Sequence, residues 1–404
     1  MRRALAIVAG ALVGVVVGAG LTLALQARGA ESRVPTLPGG FQPPVTRAAE
    51  PGTFLAWTAG GLPQGFRAKV RTLPGIDRVA VVDSDVVWMT RSLSDGGEVV
   101  DDAPQGYAIP LEVAAVDPAE YEPFVPLSQQ GAIADLENGF GILGESSARL
   151  RRLGPGAVLQ FGDLRVQVAA IWPDELVGAH ELLVGHRVGS ALGVTHARYA
   201  LVQPEGSSDD RHVGRMLRAV LPRGVPLQVR SPGETPYFRQ GDAVLPPVEL
   251  KLLFGEFAAR PDPGRPGYLQ IDPAWEATHI ATEHVPILGR VTCNVAMFPQ
   301  IRGAIRELID LGLRDTIDSF SGCYARRFAN RDPEQGISHH TWGVAIDINV
   351  GSNPYGRPPD QDPRMVALFE RWGFIWGGTF IRPDGMHFEW HRPPSETDPT
   401  LPAT

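Results

Sequence analysis

An α+β fold in two successive modules is predicted, and three observations predict it. Strand-like apolar runs alternate irregularly with short helix-period stretches from about residue 50 to 390. Pro- and Gly-rich stretches divide the chain at 27–48 and 246–268. Uncharged residues run from Ala4 to Leu25 behind Arg2 and Arg3 and stand apart from the rest. The 404 residues are 43% hydrophobic and 20% charged, which excludes a mainly disordered or fibrous chain.

The elements follow in order. As a helix the Ala4–Leu25 run spans about 33 Å, enough for a bilayer core of about 30 Å. It is longer than the apolar part of most signal peptides, and Ala27-Arg28-Gly29 is a poor cleavage site. A retained single-pass anchor over 1–26 is favoured over a cleaved leader. Arg2 and Arg3 would keep the N-terminus cytoplasmic and place the remainder extracytoplasmic. Gly10, Gly14 and Gly18 share one face, which would let two such helices approach as a homodimer. Residues 27–48 read as a linker.

Residues 49–245 read as an extracytoplasmic α+β module. Val79–Val87 and Tyr107–Val116 are strand-like, and Ala157–Phe161 and Leu164–Ile171 flank a Gly162-Asp163 hairpin turn. Ser146–Leu153 and Arg211–Leu221 read as helices. His180, His186, His196 and His212 are scattered without ligand spacing and are read as surface or core histidines. A connector at 246–268 leads to a second module at 269–395, before a tail at 396–404. There, Pro299 opens a helix with Ile301, Ala304, Ile305 and Leu308 on one face, ended by Gly312. Asp362-Pro363 opens another, with Met365, Leu368, Phe369 and Trp372 at helical spacing before Gly373. Gly343–Val350, Phe374–Trp376 and Met386–His391 read as short strands.

Thirty-seven basic against forty-five acidic residues give a net charge of -8, so the basic footprint of a nucleic-acid binder is missing. Only Lys69 and Lys251 are lysines, a bias of composition rather than of chemistry. The chain has two cysteines, Cys293 and Cys323. Outside a membrane they are expected to pair, and closing a loop of about 30 residues would add about 3 to 4 kcal/mol in the chain-entropy model.

The segment Ser338-His339-His340-Thr341-Trp342-Gly343-Val344-Ala345-Ile346-Asp347 is followed about 40 residues later by Asp384-Gly385-Met386-His387-Phe388-Glu389-Trp390. Two histidines and one carboxylate, His340, Asp347 and His387, suit a catalytic zinc that keeps one position for water. Asp347 shares its strand face with Ala345 and Asn349, and His387 shares its own with Glu389. Pairing these strands would bring His387 beside Asp347, with His340 arriving from the preceding turn. Asp384 is placed to act as general base. A positive partner for the oxyanion is sought in Arg327, with Arg326 a rival.

These residues resemble the LAS metallopeptidases: VanY-type D-alanyl-D-alanine carboxypeptidases, D-Ala-D-Ala dipeptidases and L-alanyl-D-glutamate endopeptidases. The resemblance covers about 270–392. It implies one Zn2+ held by His340, Asp347 and His387, the acidic residue before the last ligand as base, and Arg327 as the arginine upstream of the first ligand. Peptidoglycan peptides are the implied substrates, on a small antiparallel sheet with flanking helices. Asp384 stands where family members that cut D-Ala-D-Ala commonly have Glu, so the bond cleaved stays open between carboxypeptidase and endopeptidase. Over 141–205, Gly144-Glu145-Ser146-Ser147-Ala148, Leu153-Gly154-Pro155-Gly156, the Gly162 hairpin and Leu192-Gly193 resemble extracytoplasmic core domains of ABC-transporter permeases. That resemblance implies a binding or scaffolding role.

Ser338, His339, Tyr324, Glu389 and Trp390 are expected around the substrate, with His339 and Glu389 also candidates to steady a ligand and Glu389 equally readable as a solvated strand-face carboxylate. Core packing is the default for Trp342, Trp376 and Trp390 as aromatic side chains. His279 and His284 are read as loop residues, and His391 as rim polarity. Two other functions compete with the enzyme. One is a non-catalytic binding module on the same fold, as hedgehog-type relatives illustrate, and the other is an accessory subunit of an envelope assembly.

Overall fold

The apolar β-branched runs of the first module build one eleven-stranded sheet. Its strands are β1 (Phe54–Thr58), β2 (Ile76–Met89), β3 (Arg91–Leu93), β4 (Val99–Asp102), β5 (Ile109–Val116), β6 (Gly141–Gly144), β7 (Val158–Phe161), β8 (Leu164–Trp172), β9 (Leu182–Gly185), β10 (Ala197–Pro204) and β11 (Leu227–Arg230). Their order is β11-β1-β10-β2-β5-β9-β6-β8-β7-β3-β4. The computed structural model describes residues 52–232 and 245–393. The expected anchor, the Gly10, Gly14 and Gly18 face, the linker and the tail lie outside the described residues. Among those described, no helix is long and apolar enough to cross a membrane.

β5 shows why the large sheet buries both of its faces. Ala114 and Val116 enter one core, with Tyr121, Phe124 and Trp172. Leu111, Val113 and Ala115 enter another, with Met89, Leu159 and Phe161. Alternate side chains leave a strand on opposite faces, so a continuous apolar run is what a strand covered on both sides requires. The β7–β8 hairpin pairs Phe161 with Leu164 across Gly162, whose φ of +62° suits glycine. The expected helices occupy Glu145–Arg151 and Asp210–Arg218.

The stretch read as a connector carries structure of its own. A helix spans Pro247–Phe254, and β12 (Ala259–Pro261) pairs with β13 (Leu269–Ile271). Lys251 on that helix is buried and donates to the Pro110 carbonyl and, at 2.6 Å, to Glu181 Oε1. Arg151 reaches Glu181 at 2.9 Å and also pairs with Glu256. Farther along, Phe254 meets Trp390 edge-on at 5.1 Å, and Phe257 packs on Trp275 and Trp342. The connector thus fills the seam between the large sheet and the C-terminal residues.

Those residues form the hairpin β14 (Ile280–Val285) and β15 (Gly289–Asn294), and a four-stranded antiparallel sheet. The sheet is ordered β16 (Phe320–Gly322), β17 (Ala345–Ile348), β19 (His387–Trp390), β18 (Phe374–Trp376). Helix Phe298–Asp310 buries Ile301, Ala304, Ile305 and Leu308, and helix Pro363–Arg371 buries Met365, Leu368 and Phe369. The Asp362 carboxylate accepts from the Arg364 amide and caps the second helix. His279 ends a helix over Pro273–His279 and stacks on Trp275, and His284 lies on β14, so neither is a loop residue. Asp272-Pro273 is the start signal: the Asp272 carboxylate caps the helix by accepting from the Ala274 amide.

Candidate active site

Strand pairing assembles the site. β17 and β19 run antiparallel with Asp347 opposite His387 and Ala345 opposite Glu389. His340 enters from a short 3-10 turn, His339–Thr341, that precedes β17. Gly343 makes the bend between them at a φ of +69°. A Cβ there would sit 2.6 Å from the Asn294 amide nitrogen, so glycine is required twice over.

Asp347 Oδ1 lies 3.3 Å from His340 Nε2 and 3.3 Å from His387 Nδ1. Tetrahedral ligands about 2.0 to 2.1 Å from one ion stand about 3.3 Å apart, so both separations fit a shared ion. The ligand atoms of the three residues all lie within 4.8 Å of one another, and no other such group of three occurs among the described residues. Each histidine is held by its second nitrogen. His340 Nδ1 donates to the Cys323 carbonyl at 2.7 Å, while Nε2 is buried with no hydrogen-bond partner. His387 Nε2 lies 3.2 Å from Glu389 Oε2. Such outer contacts fix the tautomer and leave the inward nitrogen for a metal. The three residues could hold a metal ion. Without one, burial would lower the His387 pKa, but hydrogen bonds to Asp347 and Glu389 outweigh it and push it up to about 10. Burial likewise opposes the Asp347 carboxylate, yet His340 and His387 hold it well below the ordinary value.

Cys293 and Cys323 are joined in a disulfide, with Cα atoms 5.3 Å apart. The bond fastens β15 to the residue whose carbonyl orients His340. Thr341, fully buried, adds a second fastening: its hydroxyl accepts from the Arg327 amide at 3.2 Å and lies 3.0 Å from the Arg327 carbonyl.

Asp384 sits at the rim of the ligand set. Its amide donates to the Gly377 carbonyl at 2.8 Å, and the His387 amide donates to its carbonyl at 3.1 Å. A Cβ on Gly377 would stand 2.7 Å from the Asp384 carbonyl oxygen, so the chain passes there only as glycine. Asp384 Oδ1 is buried with no hydrogen-bond partner. Burial raises its pKa; His387, His340 and Arg327 oppose the rise, and Asp347 reinforces it. Burial depresses the Arg327 guanidinium, which lies in the field of Asp347 and Asp384. Arg326 points elsewhere, 3.5 Å from Glu276 Oε1.

The structure places the remaining candidates differently. Trp390 is 1% exposed, and its indole donates to Gln300 Oε1 at 2.7 Å, so it is core and lines no groove. Its alternation with Phe388 already pointed inward. Glu389 is 4% exposed and lies between His387 and His339, whose Nδ1 is 2.8 Å away. It therefore faces the His387 and His339 imidazoles from a buried position. The Tyr324 hydroxyl is engaged with Glu276 at 2.6 Å. Burial and that carboxylate push its pKa up. Ser338 is buried and its amide donates to the Arg327 carbonyl at 3.2 Å. Trp342 is core, whereas Trp376 is half-buried, its indole donating to the Gly385 carbonyl at 2.8 Å.

Residues 331–390 match the model of a peptidase family described as D-alanyl-D-alanine carboxypeptidase. The match spans His340, Asp347, Asp384 and His387, in line with the resemblance that the motifs carry. No curated protein matches the chain. Among solved structures, the periplasmic region of MacB from Actinobacillus actinomycetemcomitans is similar at 11% identity and a TM-score of 0.31, covering 45% of this chain and 90% of that one. The extracellular domain of the noncanonical ABC-type transporter YknZ from Gram-positive bacteria is similar at 15% identity and a TM-score of 0.29, covering 44% and 99%. A domain of a permease protein from Porphyromonas gingivalis gives 14% identity and a TM-score of 0.27, covering 48% and 92%.

Proposed function

We propose that residues 269–395 form a zinc peptidase that hydrolyses peptidoglycan stem peptides, held outside the cell membrane by the N-terminal segment. The observation that carries this reading is Asp384, a buried carboxylate with an unpartnered oxygen beside a His-Asp-His set. A module that only bound a ligand would have no use for it. Zinc bound by His340, Asp347 and His387 would supply Lewis acidity, polarising a peptide carbonyl and making water acidic near neutral pH.

The chain's own groups do the rest. Asp384 takes the proton of the attacking water at its free Oδ1. It then gives the proton to the leaving amine. Arg327 holds the negative charge that develops on the carbonyl oxygen, in a site where burial strengthens that interaction. Glu389 and the Cys323 carbonyl keep the imidazoles in one orientation throughout.

The test is to load the detergent-solubilised full chain with zinc and follow stem peptides by mass spectrometry. Release of terminal D-Ala identifies a carboxypeptidase, and cleavage between L-Ala and D-Glu an endopeptidase. A zinc-loaded chain that leaves every stem peptide intact overturns the proposal in favour of a binding module.

A further inference from the structure

The two catalytic side chains outside the ligand set, Arg327 and Asp384, sit on segments that also touch the large sheet. The first segment is the loop 328–337, which leaves Arg327 and returns at Ser338, two residues before His340. Its ends are clasped by a Phe328–Ile337 bridge and by the Ala329 amide donating to the Gly336 carbonyl at 2.9 Å. At its tip Asn330 and Arg331 hold φ values of +52° and +59°, which non-glycine residues rarely adopt without outside support.

Those two residues are held from nearby, Arg331 Nε donating to the Tyr268 hydroxyl at 2.9 Å and the Asn330 side-chain amide to Gln335 Oε1 at 2.8 Å, while the rest of the loop leans on β2 and β10. The Arg198 guanidinium donates to the Glu334 carbonyl of the loop. It is fixed from behind by the Ser84 carbonyl at 2.7 Å and by Asp85 Oδ1 at 2.8 Å. His196 bridges Asp85, at 2.7 Å, to the Glu334 carboxylate, at 3.3 Å. Trp88 meets Phe328 edge-on, with ring centroids 6.4 Å apart. The second segment, Gly377–Asp384, has its own attachment: Ile381 packs against the core cluster that contains Tyr121 and Phe124. Both segments therefore touch the large sheet or the core beneath it, at residues separated from them in sequence by more than 100 positions.

We propose that the large sheet positions the reacting groups, with Arg198 as the positioning residue that sets Arg327 against the metal ligands through the loop 328–337. Arg198 touches neither ligand nor substrate and acts only through the loop. The effect on turnover rests on the peptidase reading; the effect on the loop does not.

The test uses the full chain and two variants, Arg198→Ala and Arg198→Lys, with Arg91→Ala on β3 as a control. Displacing an oxyanion partner by about 1 Å costs up to about 10²-fold in rate. Arg198→Ala is therefore expected to lower kcat by about tenfold to 10²-fold with bound zinc unchanged. Amide exchange should quicken in 328–337 and stay as it was in β17 and β19. Arg198→Lys keeps the charge near Asp85 but loses the reach to Glu334, so it should show the same pattern, more weakly, even if the alanine variant fails to fold. If both variants match Arg91→Ala in kcat and in loop exchange, the proposal is overturned. It is equally overturned if zinc is lost or exchange quickens throughout the molecule, because Arg198 then serves folding alone. If the parent chain hydrolyses nothing, the function proposed above fails, and loop exchange by itself decides whether Arg198 holds the loop.

Discussion

Two buried ionic clusters among the described residues differ in the kind of atom that each leaves without a hydrogen-bond partner. Where the connector helix meets the large sheet, the cations Arg151 and Lys251 face the carboxylates Glu181 and Glu256, with Asp101 3.9 Å from Arg151 Nε, so each charged group meets its opposite even though that Nε donor has no hydrogen-bond partner. At the C-terminal sheet, carboxylates and imidazoles also crowd together, yet His340 Nε2 and Asp384 Oδ1 are buried without hydrogen-bond partners. A buried polar atom without a partner costs free energy, and an imidazole nitrogen or carboxylate oxygen so placed, unlike the Arg151 donor, can take a metal ion or a proton. The first cluster joins parts of the chain, and the second is open toward chemistry.

Substitutions can break or sharpen this contrast. The largest effect is expected from Asp384→Ala, which should lower kcat by about 10²- to 10⁴-fold while zinc content, measured by metal analysis, stays at the parent level. Loss of zinc together with activity would show that Asp384 holds the site together, as Glu181 holds the seam. Glu181→Ala should remove the carboxylate that pairs with both Arg151 and Lys251 and lower stability by about 3 to 5 kcal/mol in denaturant unfolding. A change under 1 kcal/mol would remove the distinction between the clusters. Glu389→Gln keeps the shape but loses the charge beside His387 and His339; chelator competition should find zinc bound about 10- to 100-fold more weakly. The smallest effect is on proton balance. His387 holds a proton up to about pH 10 in the metal-free chain, so zinc must displace it at neutral pH. Zinc affinity should fall by up to about tenfold for each pH unit lowered, and calorimetry in buffers of different ionisation heat should detect the released proton.

The clusters also differ in how far the sequence reveals them. Asp347 beside His387 follows from local patterns, since alternation puts each ligand on one strand face and short strands limit the possible registers. Helix ends at Asp362 and Gly312 are legible for the same reason: a cap acts within a few residues. Lys251 against Glu181 joins residues 70 apart, and Arg198 against Glu334 residues 136 apart, and no periodicity reports such a meeting. Glu389 falls between these cases. Its strand face was readable, but its role depended on His339, which reaches it only after the sheet has formed.

The direct opposition of Asp347 and His387 has a consequence for how the chain finds its fold. Slipping β19 by one residue against β17 would turn His387 and Glu389 to the apolar side and bring Phe388 to face the ion. Only one alignment of the two strands offers three donors at once, so the binding free energy of a metal is available to that alignment alone. A bound ion would thereby act as a proofreader of strand register, rewarding the single pairing in which the C-terminal sheet is correctly assembled.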